Sequence, residues 1–125
     1  MKELNLNIQM DDIKEFDDEK LSPADKFIEI LDSAIIGSFQ SDDPNRAPNI
    51  NDKQRRSHWN LMNRLEEHED GIISINDKSY EFLQDRWKKK KLAIQTLVRP
   101  LRKLIQRMDA IIMPDEQDKE DKEDK

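Results

Sequence analysis

The chain has no cysteine and only two glycines among its 125 residues. Without cysteine there are no disulfides, no thiolate metal sites and no cysteine nucleophile, a composition that suits a reducing compartment. With so little glycine, a phosphate-cradling loop of the P-loop type is excluded. No apolar run approaches the ~20 residues that cross a bilayer. The opening "MKELNLNIQMDD" turns acidic without the apolar stretch of a secretory signal. These absences lead to the expectation of a cytoplasmic chain with no membrane partner.

Apolar residues are also scarce, at 34% against 40% charged. Ordering each residue costs roughly 1–2 kcal/mol of backbone entropy, which buried apolar area must offset. A core this thin makes self-association an expectation, because a partner's surface supplements it. At this length and with no internal repeat, one domain is expected. Its boundaries read as an N-terminal arm and acidic linker over 1–20, a helical domain over 21–113 and a disordered charged tail over 114–125. The tail, "PDEQDKEDKEDK", has nothing apolar beyond its proline to bury.

The net charge of −6 hides a segregation. Residues 1–45 carry 4 basic and 12 acidic side chains, net −8, whereas residues 78–113 carry 10 and 3, net +7. Residues 46–77 are nearly balanced at −1, and residues 114–125 are acidic again at −4. A basic segment therefore lies between acidic ones.

Hydrophobic periodicity predicts a mostly α fold: a small helical bundle dominated by a long C-terminal helix, with an optional two-stranded β-ribbon. "LNLNI" at 4–8 alternates Leu and Ile with Asn, as a half-buried strand does, though a frayed arm has the same composition. "GIISI" at 71–75 is short and β-branched and could pair with it. A first helix is signalled by Ser22 as N-cap, Pro23 at the first helical position and Asp25 in the first turn. Phe27, Ile28, Leu31, Ala34 and Ile35 make its apolar face, and Gly37 ends it. A second helix starts at Asn51 or Asp52, with Gln54 reaching back and Trp59, Met62 and Leu65 on the buried side.

The third predicted helix starts after Asn76 and runs to residue 113. Tyr80, Trp87, Ile94, Leu101 and Met108 recur every seven residues, and Leu83, Leu97, Leu104 and Ile111 follow at three-residue offsets. These nine form a candidate core or oligomer seam. Pro100 lies off the seam and is expected to kink or split the helix.

"DRWKKKKLAIQTLVRP", residues 85–100, interrupts this seam with four lysines. Successive residues differ by about 100° around a helix, so the four cannot share one face. Lys88 and Lys89 point outward in this reading, while Lys90 and Lys91 take seam positions. These two either snorkel, pair with acids of residues 11–19 or the first helix, or contact phosphate. With Arg99, Arg102 and Lys103, the outward lysines would make a basic stripe about 22 Å long at 1.5 Å per residue, able to track a nucleic-acid backbone.

His58 and His68 are ten residues apart and lack the i, i+4 pairing that places two metal ligands on one helical face. No paired-carboxylate or Ser/His/Asp motif is present, so no catalytic residue, metal, cofactor or small-molecule substrate is expected. Trp59 and Trp87 read as core anchors.

From "NDKQRRSHWNLMNRL" through "GIISINDKSYEFLQDRW", about half the chain, the layout resembles that of small bacteriophage accessory proteins. In both, a polar-capped helix with an arginine-rich start leads through a short β-like connector into an Asp-started helix. The resemblance implies an accessory or assembly role and carries no catalytic residue with it; the lysine run and charged tail are not part of it. The sequence thus points first to a non-enzymatic helical interaction protein that self-associates or docks a protein partner through the long C-terminal helix. The alternative is a small nucleic-acid-binding regulator using the basic stripe of residues 88–103.

Overall fold

In a computed structural model of the chain, residues 1–14, 22–40, 50–91 and 100–114 are described. Strand β1 (Lys2–Asn5) is followed by helices α1 (Pro23–Gly37) and α2 (Asp52–Glu66), strand β2 (Ile72–Ile75), and helices α3 (Asp77–Lys88) and α4 (Leu101–Ile112). The described residues are thus mostly helical, with a small two-stranded sheet.

Local chemistry starts α1, α2 and α3 where the sequence predicts, whereas α4 follows Pro100 with no side-chain cap. The Ser22 hydroxyl accepts from the Asp25 N–H at the head of α1. Asn51 and Gln54 satisfy each other's backbone N–H groups in a full capping box on α2. Asn76 accepts from the Ser79 N–H on α3. Gly37 closes α1 for a reason the sequence does not disclose. A Cβ there would collide with the Lys91 carbonyl oxygen, so the glycine permits a close backbone approach.

The β-ribbon forms. β1 pairs antiparallel with β2, Leu4 opposite Ile73. The turn before β2 places Asp70 and Gly71 at positive φ, 53° and 85°. A side chain at Gly71 would also strike Asn7, which donates to the Asp70 carbonyl at 2.6 Å. Beyond β1 the alternation of buried residues continues from Leu4 through Leu6, Ile8 and Met10, and after a turn Ile13 is buried as well. Fully burying one Leu or Ile stabilises by roughly 1.5–3 kcal/mol. The core therefore draws on residues on both sides of the boundary expected at residue 20.

A single long helix over 77–113 does not form. α3 ends at Lys88, with Lys89 at φ −93°, ψ 4°, and α4 begins after Pro100. On one continuous helix, Tyr80 and Ile112 would stand about 48 Å apart at 1.5 Å per residue. Instead the Tyr80 hydroxyl donates to the Ile112 carbonyl at 3.1 Å, and the Gln84 amide reaches the same oxygen at 3.0 Å. The Trp87 indole N–H donates to Asp109. Partners descend in α4 as they ascend in α3, so the two helices run antiparallel. The heptad persists because each half faces the same core. Leu83, Trp87, Leu104 and Met108 are buried, whereas Tyr80, Leu101 and Ile111 are half-buried; Ile94 and Leu97 lie outside the described residues.

Candidate functional site

Helix α2 carries an exposed tryptophan. The residues that α2 turns inward are His58, Leu61, Met62 and Leu65, at i, i+3, i+4 and i+7. Trp59 is one step off that stripe and is 57% exposed, which corrects the expectation that it anchors the core. The signal was legible: a stripe beginning at His58 rather than Trp59 has the better helical spacing, but a histidine is easily passed over as an apolar-face residue.

On helix geometry, Trp59 shares its side of α2 with Met62 and Glu66. These two line an open groove of about 420 Å³ against Asp25, Ile28, Glu29 and Asp32 of α1. Ile28 and Met62, both mostly buried, provide its apolar part. Four carboxylates make its polar part. Lys26 pairs with Glu29 at 3.6 Å.

Two histidines tie the groove's acids to α2 and the turn after it. His58 Nε2 lies 2.9 Å from Asp32 Oδ1, and its Nδ1 is buried without a hydrogen-bond partner. His68 Nε2 lies 3.5 Å from Asp25 Oδ1, and its Nδ1 accepts the Gly71 backbone N–H at 3.0 Å. An Nδ1 that accepts carries no proton, so this bond selects the Nε2–H tautomer of His68. Among the described residues, no group of three or more His, Asp or Glu is placed to hold a metal ion.

The lysine run has a different fate at each position. Lys88 and Lys89 are exposed at the end of α3, where Lys89 reaches Asp85 at 3.1 Å. Hydrogen bonding from Lys89 holds the Asp85 carboxyl below its ordinary value. Lys90 folds back: its ammonium donates to the Trp87 carbonyl at 3.1 Å and sits 4.2 Å from the Trp87 ring centroid. Burial lowers its pKa, against the pull of Asp109 at 3.9 Å. Lys91 donates to the Gln40 carbonyl at 2.7 Å.

Within the described residues, the acidic N-terminal region pairs with the basic C-terminal one at α4. Asp12 takes two guanidinium bonds from Arg107, and Lys103 stands 3.6 Å away. The bond from Arg107 draws the Asp12 carboxyl down to about 2. Arg102 is exposed on α4, and Arg99 lies outside the described residues. Lys88 and Lys89 thus stand on one helix and Arg102 and Lys103 on an antiparallel neighbour. They do not form the single straight stripe expected of one helix.

No helix among the described residues is long and apolar enough to cross a membrane. Compared with known proteins, the chain matches no family model, no curated protein and no solved structure.

Proposed function

We propose that this chain is a non-enzymatic helical interaction protein that docks a protein partner, another copy of itself included, on the Trp59 side of α2. The observation that carries the reading is the indole of Trp59, more than half exposed on a helix whose apolar stripe is already satisfied. Tryptophan is the residue type most enriched among binding hot spots, where its large area is covered on association. Beside it runs a groove with an apolar floor and charged rim, the usual make-up of an interface patch. The absence of any catalytic motif in the sequence supports a binding role. The resemblance to bacteriophage accessory proteins supports an accessory or assembly setting.

A photo-crosslinking amino acid at position 59 tests this. Irradiation of the purified chain, or of cells expressing it, should yield a discrete protein adduct that the same group at exposed Lys14 does not give. No adduct at either position, together with a salt-sensitive gel shift by DNA or RNA, would replace this reading with that of a nucleic-acid-binding regulator.

A further inference from the structure

We infer that the Trp59 groove receives a second copy of this chain, inserting the exposed lysines at the end of its α3, so that copies join head to tail. This rests on the docking role proposed above and names the occupant.

The groove's chemistry selects a cation with an apolar stem. Asp25, Glu29, Asp32 and Glu66 rim it and Ile28 and Met62 floor it, while helix geometry puts the exposed Trp59 on the side of α2 that carries Met62 and Glu66, outside the lining itself. A lysine satisfies all three, since its methylene stem packs on apolar surface while its ammonium meets carboxylates or an indole face. The chain already uses lysine in this way, with Lys90 over the Trp87 ring at 4.2 Å.

The same chain supplies such an occupant. Its charge is segregated between a −8 segment that contains α1 and a +7 segment that contains the lysine run. Lys88 and Lys89 are exposed where α3 gives way to a turn, Lys89 already in a surface ion pair with Asp85 at 3.1 Å, and the backbone behind them is held. Lys90 bonds back to the Trp87 carbonyl, and the Lys91 carbonyl rests against Gly37. A held turn loses little freedom on docking.

The turn cannot fill the groove of its own copy. It packs at Gly37 and Gln40, at the far end of α1. At about 100° per residue, Gly37 lies roughly 120–180° around α1 from Asp25, Ile28 and Asp32; only Glu29, about 80° away, borders both the groove and the cavity beside Gly37 and Lys91. The contact therefore joins two different surfaces, groove to turn, which makes it heterologous and able to propagate.

Sedimentation velocity on three variants tests the proposal. Lys88→Glu/Lys89→Glu alters the turn, Glu66→Lys alters the groove, and Trp59→Ala removes the anchor. All four positions are exposed, and circular dichroism checks that each variant stays folded. The wild-type chain should associate as concentration rises and dissociate as salt screens the charges. Each variant alone should stay monomeric. An equimolar mixture of the turn and groove variants should associate, because the intact turn of one meets the intact groove of the other. A mixture that stays monomeric, or a turn variant that associates like wild type, overturns the lysine assignment. If Trp59→Ala alone abolishes association, docking at Trp59 stands and the lysine occupant is wrong. A wild-type chain that is monomeric at every concentration also overturns the assignment, and the position-59 adduct then decides whether a different protein docks there.

Discussion

The Asp12 carboxylate accepts two hydrogen bonds from the Arg107 guanidinium, at 2.9 and 2.6 Å, across 95 residues of sequence. Arg107 also donates to the Gln9 carbonyl at 2.6 Å, so one side chain fastens the N-terminal extended segment to α4. Bidentate geometry distinguishes this pair from ordinary surface ion pairs, which contribute little.

The pair makes stability depend on acid in a defined window. The carboxyl titrates near 3.8 when free of Arg107 and near 2 in the fold. A depressed carboxyl contributes stability that is fully present above about pH 4 and lost as pH falls through about 2. Asp12→Asn should therefore lower the thermal midpoint at neutral pH, and the gap from wild type should close as pH falls towards 2. A gap that does not change with pH would show that the pair contributes nothing through its charge.

The lysine run should divide under charge reversal. Lys90→Glu places a carboxylate beside Asp109 and the Trp87 ring, so it should cost about 1–3 kcal/mol, the range for a lost charge-assisted bond. Lys88→Glu on the exposed side should change stability by no more than about 0.5 kcal/mol. Urea denaturation of both variants separates the two positions; equal effects would contradict the placement of Lys90.

Core depth in α4 is equally testable. Leu104 is fully buried, and Leu104→Ala should cost about 2–5 kcal/mol. Leu101 is only half-buried, one turn earlier, and its truncation should cost about half as much or less. A larger loss at Leu101 would mean that α4 is rotated from the position described here.

The His68 ring holds the turn before β2. Its Nδ1 accepts the Gly71 N–H at 3.0 Å while Nε2 faces Asp25. His68→Ala removes that acceptor, so amide exchange at Gly71 should be faster in the variant than in wild type. Gly71 protection that is the same in both would refute the role.

Much of the fold is legible in the chain because its signals are local. Ser22, Asn51 and Asn76 each cap the helix expected of them, and the alternation of Leu4, Leu6 and Ile8 marks a buried extended segment. The long helix misleads because a heptad records which residues face a core, not whether they share one axis. Tyr80 and Met108 keep the same phase on two antiparallel helices. Trp59 misleads for a related reason: residue type suggested burial, and only its neighbours His58, Leu61, Met62 and Leu65 define the inward side. The Asp12–Arg107 pair and the Gly37–Lys91 approach are tertiary relations, and neither has a sequence motif. The candidate groove was not legible at all, because its lining comes from two helices, Asp25, Ile28, Glu29 and Asp32 from α1 and Met62 and Glu66 from α2.

The thermal midpoint of wild type and of Trp59→Ala, followed against protein concentration, tests the docking account most directly. Association that involves only the folded state raises the midpoint with concentration. The two proteins should melt together at high dilution, because an exposed indole contributes little to the fold, and only the wild-type midpoint should climb as concentration rises. A Trp59→Ala midpoint that is lower at every concentration would make Trp59 a structural residue, and midpoints that climb in parallel would place the contact elsewhere. Either result would contradict docking at Trp59.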